Sequence, residues 1–174
     1  RIADEMENRI LEPGVTGEIV ISGPNVTPGY EGNPKANESA FFMAMGKRWF
    51  RTGDQGAFDE DGYLSLTGRL KEIINRGGEK ISPLEVDAVM LSHPEIAQVV
   101  CFAVNHDKLG EDIAAAVVLQ EGSTLDERAI REFTSLHIAG FKVPRSVKIL
   151  EEIPKGATGK IQRIGMAEKL GLTD

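Results

Sequence analysis

The pattern of apolar and polar positions changes near Arg69. Over residues 1–70 the apolar positions fall in short β-type runs, "EIVIS", "RWFRT" and "YLSLTG". They are separated by the turn-rich stretches "PGVTGE", "SGPNVTPGYEGNP", "TGDQG" and "DEDG". Runs of that length bounded by Gly, Pro and Asn predict small antiparallel strands, with one helical turn over residues 37–45. Beyond Arg69, helical and strand patterns alternate. "SPLE" at residues 82–85 has the form of a capping box with proline at the first helical position, and predicts a helix that stops near His93 and Pro94. "IAQVVCFAV" and "IAAAVVL" are near-continuous apolar runs of strand length, parted by "NHDKLGED", and predict buried strands. "TLDE" at residues 124–127 is a second capping box, after which Ile130, Phe133 and His137 fall on one helical face. "FKVP", a strand over residues 147–150, the loop "EEIPKGATGKIQR" and a last helix from about Arg163 complete the chain. The expected fold is α+β: three strands, or four with a hairpin within residues 64–81, carrying helices on one side.

Composition narrows the function. Hydrophobic residues at 41% and charged residues at 27% of 174 are ordinary globular values. A net charge of -7 argues against nucleic-acid binding, which rests on basic clusters. The single cysteine, Cys101, lies inside an apolar run and suits a reducing compartment. No apolar stretch reaches the roughly 18 residues of a membrane span, so a soluble cytoplasmic protein without membrane insertion is expected. The opening "RIADEMENRI" has no initiating methionine and reads as the end of something longer.

Three places carry candidate chemistry. Lys160 follows two glycines and a threonine in "GATGK", a loop that either turns the chain or holds an anion. The spacing is not that of the phosphate-cradling G-x-x-x-x-G-K-[ST] motif. Gly77 and Gly78 in "NRGGEK" are either a hairpin turn or a stretch of bare backbone along which an extended ligand passes. Asp54 in "RTGDQG" sits in a turn between two β-type runs, where it forms an Asx-turn or accepts hydrogen bonds from sugar hydroxyls. "FDEDG" lacks the ligands of a calcium loop and reads as a turn. The three histidines, His93, His106 and His137, share no metal-ligand spacing, so no metal site is expected from this chain.

Taken in order, "GEIVISGPNVTPGY", "WFRTGDQGAFDEDGYLSLTGRLKEIINRGGEKISPLEVD", "HPEIAQVVCFAV" and "FKVPRSVKILEEIPKGATGKIQR" resemble the AMP-forming acyl-activating family. That family comprises acyl-CoA synthetases, aryl-CoA ligases, firefly luciferase and peptide-synthetase adenylation domains. Within it, "INRGGEKISPLEVDAV" and the tail look most like oxalyl-CoA synthetases. The resemblance implies that residues 1–70 end the β-barrel part of an N-terminal domain. Residues 71–174 would then form a small mobile α+β lid with a three-stranded sheet and helices, hinged at Lys71.

The resemblance also assigns roles. Lys160 matches the adenylation lysine, Asp54 the aspartate that binds the ribose hydroxyls, and Arg69 the arginine that assists it. Gly77 and Gly78 match the loop lining the CoA pantetheine channel, and Lys80 a polar or basic position near the nucleotide phosphate. Asn75 departs from the pattern, because many relatives have lysine there. The implied activity is an AMP-forming acid–thiol ligase that takes a carboxylic acid, ATP and CoA. ATP, Mg2+ and CoA would be bound mostly by an N-terminal domain outside this sequence, leaving this stretch inactive alone. Acetylation of Lys160 would remove the charge the mechanism needs. The alternatives are an adenylation domain that loads a carrier protein and a non-catalytic α+β binding module.

Overall fold

The computed structural model describes residues 1–173 and divides into two compact units, Arg1–Lys71 and a second that begins at Glu72. No helix among the described residues is long and apolar enough to cross a membrane.

The first unit is a five-stranded antiparallel sheet built on one long strand. Its elements are β1 (Ile2–Ala3), β2 (Gly17–Ile21), α1 (Pro34–Ala40), β3 (Phe41–Ala44), β4 (Lys47–Phe58) and β5 (Leu64–Arg69). β2 pairs one edge of β4; β3 and β5 share the other, β3 along residues 47–50 and β5 along residues 54–58. β1 pairs β2, and Ala3, Val20, Phe42 and Trp49 form a small core. The helix lies earlier than the expected turn over residues 37–45. Asn33 accepts the Ala36 N–H at 3.1 Å as N-cap and Pro34 takes the first helical position, so helix begins where the sequence reads as loop. Phe41 and Phe42 instead pair with Phe50 and Trp49 across the β3–β4 hairpin.

"TGD" is not a turn between strands. It lies inside β4, where Glu18 faces Gln55 and Val20 faces Arg51, so two extra β4 residues are accommodated in a bulge. Gly53 takes a φ of 76° there, which a glycine adopts without steric cost.

The second unit contains β6 (Ile74–Arg76), β7 (Glu79–Ile81), α2 (Pro83–Leu91), β8 (Ile96–His106), β9 (Gly110–Leu119), α3 (Glu127–His137), β10 (Ser146–Ile149) and α4 (Met166–Lys169). β9 is central, antiparallel to β8 along one edge and parallel to β10 along the other. The β6–β7 hairpin joins β9 directly through a pairing of Arg76 with Gly110, making five strands where three, or four with a hairpin, are expected.

The helices do not lie on one side alone. Cys101, Ile113, Ala115 and Val117 pack with Val86 and Met90 of α2 and Ile130 of α3. Val100, Phe102, Ala114 and Ala116 pack on the opposite face against Ile153 and Met166 of the C-terminal segment. Both faces are therefore covered, which is why the two apolar runs are continuous rather than alternating.

The caps also differ in detail. Ser82 stands at the N-cap of α2 without a capping side-chain bond, and Glu85 receives Lys142 Nζ at 2.6 Å. In α3 the cap is Asp126, whose carboxylate accepts the Ala129 N–H at 2.8 Å, rather than Thr124. The last helix begins at Met166, three residues later than expected, because Arg163 turns inward.

Candidate functional site

Asp54 and Arg69 are direct partners across β4 and β5, and Arg69 Nε donates to Asp54 Oδ1 at 3.0 Å. The bulge presents the carboxylate to this bond. Asp54 N–H donates to Thr52 Oγ1 at 3.1 Å, while the Thr52 hydroxyl donates to the Ile19 carbonyl at 2.7 Å. Under the bulge, Glu18 is buried with its carboxylate paired to Arg51 and accepting the Gly53 N–H at 3.0 Å. Arg51 continues to the carbonyls of Asp4 and Glu7. The bulge that carries Asp54 is thus fixed from below by buried Glu18 and its ion pair with Arg51. A cavity of about 300 Å³ opens beside it, lined by Thr52, Gly53, Ser39, Arg69 and Lys71 among others. Of the two readings of Asp54, the Asx-turn is not formed; Thr52 supplies the local side-chain bond instead.

Gly77 and Gly78 are the tip of the β6–β7 hairpin, with φ of 62° and 95°. Positive φ at both central residues is what a two-residue type I′ turn needs. Gly77 N–H donates to the Leu109 carbonyl at 2.8 Å, and a Cβ on Gly77 would lie 3.1 Å from Leu109 Cδ2. Gly78 has no atom within 4 Å of its Cβ position, so its backbone is open on that side. Arg76 Nε donates to buried Asp112 at 2.8 Å and holds the hairpin to β9. Asn75 Oδ1 accepts the Gly78 N–H at 3.2 Å, so this side chain closes the hairpin. Lys80 faces Asn75 on β7.

The Lys160 loop is a closed turn. Lys155 bridges Ile161, Gly156 N–H donates to the Lys160 carbonyl at 2.8 Å, and Gly159 N–H donates to the Gly156 carbonyl at 2.9 Å. Its two lysines differ in what they meet. Lys155 Nζ donates to Glu152 at 2.5 Å, and that bond, with the lysine's charge, holds the Glu152 carboxyl below its usual range. Lys160 is exposed, and its ammonium has no hydrogen-bond or ion-pair partner among the described residues.

Sequence reading missed the anchor of this loop. Arg163 is 15% exposed and engages three groups: Glu72 from Nε at 3.2 Å, the Cys101 carbonyl from Nη1 at 2.9 Å, and Asp87 from Nη2 at 2.7 Å. Asp87 in turn accepts the Cys101 N–H at 2.7 Å. Burial pushes the Cys101 thiol well above its usual pKa, and Asp87 adds to the shift while Arg163 opposes it. The available signal was a charge inside an apolar context: Glu18 in "GEIVI", Asp87 in "LEVDAV" and Asp112 before "IAAAVVL".

Within the first unit the structure brings Asp54, Arg69 and Lys71 to one region. Within the second, Gly77, Gly78 and Lys80 share one hairpin, and Lys160 stands on a separate loop. Among the described residues no cluster of three His, Cys, Asp or Glu side chains forms a metal-ligand set.

Residues 85–160 match the family model described as the AMP-binding enzyme C-terminal domain. A probable CoA ligase of Humulus lupulus is 58% identical over 90% of this chain and 29% of its own length. An oxalate–CoA ligase of Arabidopsis thaliana is 54% identical over 90% of this chain and 30% of its own length. The chain therefore spans under a third of the length of these curated relatives. The crystal structure of ATP-bound MatB from Rhodopseudomonas palustris superposes with a TM-score of 0.88 at 31% identity, over 97% of this chain and 33% of that one. Residues 85–160 are accordingly similar to the AMP-binding enzyme C-terminal domain, and the chain as a whole is similar in sequence to these CoA ligases and in fold to ATP-bound MatB.

Proposed function

We propose that this chain is the C-terminal part of an AMP-forming acyl-CoA synthetase. The observation that carries the reading is the exposed ammonium of Lys160, held on a closed loop while its neighbour Lys155 is engaged by Glu152. In the first half-reaction a carboxylate oxygen bonds to the α-phosphorus of ATP and pyrophosphate leaves. In the second, the CoA sulfur bonds to the acyl carbon, AMP leaves, and the thiol proton passes to solvent. Lys160 stabilises the charge that develops between carboxylate and α-phosphate, a task that needs position and a fixed charge rather than a base.

Asp54 accepts from the ribose hydroxyls and Arg69 orients it, consistent with their 3.0 Å bond. Lys80 faces the nucleotide phosphate, and the open backbone at Gly78, beside Gly77, borders the pantetheine arm of CoA. Residues 1–70 close the N-terminal domain, residues 71–174 form the lid, and Lys71 is its hinge. Mg2+, needed to neutralise the polyphosphate, has no ligand set among the described residues and would be held elsewhere. The compartment is the cytoplasm. Oxalate is the first acid to test, because the relative from Arabidopsis thaliana is named an oxalate–CoA ligase.

The test is to incubate the full-length protein with ATP, CoA and a panel of carboxylic acids and to measure AMP and acyl-CoA. Acyl-CoA and AMP formed in equal amounts with one acid, oxalate foremost, is the expected result. Adenylate formation without transfer to free CoA would replace this reading with the loading of a carrier protein.

A further inference from the structure

We infer that Arg163 is the positioning residue of Lys160, tying the lysine's loop to Glu72 and to α2. The inference rests on the adenylation role proposed for Lys160. Arg163 follows Lys160 by three residues, and the chain between them has little freedom. Ile161 is bridged to Lys155, and Gln162 packs so closely under Gly156 that a Cβ there would lie 2.6 Å from its Cδ. Beyond them the guanidinium is 15% exposed, with Nε, Nη1 and Nη2 each engaged, by Glu72, the Cys101 carbonyl and Asp87.

Apolar burial alone would not fix the loop. Ile153 before it and Met166 after it are both buried, but apolar contact is non-directional and leaves the turn between them free to tilt. A planar guanidinium held by a hydrogen bond to the Cys101 carbonyl and by ion pairs to Glu72 and Asp87 is fixed in orientation as well as distance. The three partners come from three places: the turn next to Lys71, helix α2 and strand β8. Asp87 is itself fixed by the Cys101 N–H, so the anchor is rigid on the protein side. A lysine at position 163 would keep the charge and lose the three-way geometry.

The experiment measures both half-reactions separately in the full-length enzyme, for Arg163→Lys, Glu72→Gln, Lys160→Ala and the double variant Arg163→Lys/Lys160→Ala. Arg163→Lys should lower kcat for adenylation by about 10- to 100-fold with little change in KM for ATP, as expected for a misplaced group. Thioester formation from supplied acyl-adenylate should change by less than about twofold, since uncoupled steps do not share the loss. In the Lys160→Ala background the same substitution should cost nothing further. Glu72→Gln removes one arm only and should give a smaller loss with the same split, which keeps the test open if Arg163→Lys folds poorly. Equal losses in both half-reactions, or a loss that adds to that of Lys160→Ala, would overturn the inference. Normal adenylation in Lys160→Ala would instead remove the reading beneath it. A dead Lys160→Ala with normal Arg163→Lys and Glu72→Gln would sink the anchor alone.

Discussion

Buried Glu18 forms an ion pair with Arg51 beneath the bulge that carries Asp54, and the second oxygen of Glu18 holds the Gly53 N–H at 3.0 Å. Removing Arg51 leaves Glu18 as a buried carboxylate without its counter-charge, and removing Glu18 takes away the ion pair and the Gly53 bond. Arg51→Ala should therefore destabilise the fold by about 3–5 kcal/mol, and Glu18→Ala by less, each read as a lowered unfolding midpoint. Replacing both together should cost less than the sum of the single changes.

At the hairpin tip, Gly78→Ala meets no neighbour, so its cost is conformational, about 1–2 kcal/mol for an L-residue held at positive φ. Gly77→Ala adds a 3.1 Å contact with Leu109 and should be the more damaging. In the full-length enzyme both should slow thioester formation more than adenylation. Rates measured from supplied acyl-adenylate check this; a loss confined to adenylation would refute the placement of the channel.

The β3–β4 turn holds Met45 at a φ of 51°, ahead of Gly46 at 69°. A type I′ turn favours Asn-Gly, and Met45 is exposed, so nothing in the core depends on it. Met45→Asn should stabilise the protein by about 0.5–1 kcal/mol in chemical denaturation, by relieving the left-handed strain.

Cys101 is fully buried, and burial raises its thiol pKa well above the usual value. The group is thus protonated at neutral pH, and the reactive thiolate is scarce. Labelling with a thiol reagent should be slow in the native protein and fast in denaturant. Rapid native labelling would show that β8 opens locally.

What the sequence made legible followed from local pattern. The strands β8 and β9 are continuous apolar runs, and α3 carries Ile130 on its buried face at helical spacing. A hairpin tip is one of the two readings the glycine pair allows, and its φ values are those of one. What stayed hidden depends on residues far apart in the chain. Glu18 and Arg51 are 33 residues apart, Arg76 and Asp112 36, and Arg163 and Cys101 62. No local spacing encodes such partners. The bulge at "TGD" has the sequence of a turn because Gly and Asp punctuate loops, whereas the long β4 pairing carries the chain through. Helix α1 starts earlier than the pattern predicts because Asn33 and Pro34 act as a cap and a first helical residue as readily as they break a helix.

The most direct test of the account is Lys160→Ala in the full-length enzyme, assayed by ATP–pyrophosphate exchange and by thioester formation from supplied acyl-adenylate. Loss of one fixed charge aimed at the transition state should lower adenylation by about 10²–10³-fold. Thioester formation should remain near its original rate. Equal loss of both steps, or adenylation that survives the substitution, would contradict the role given to Lys160.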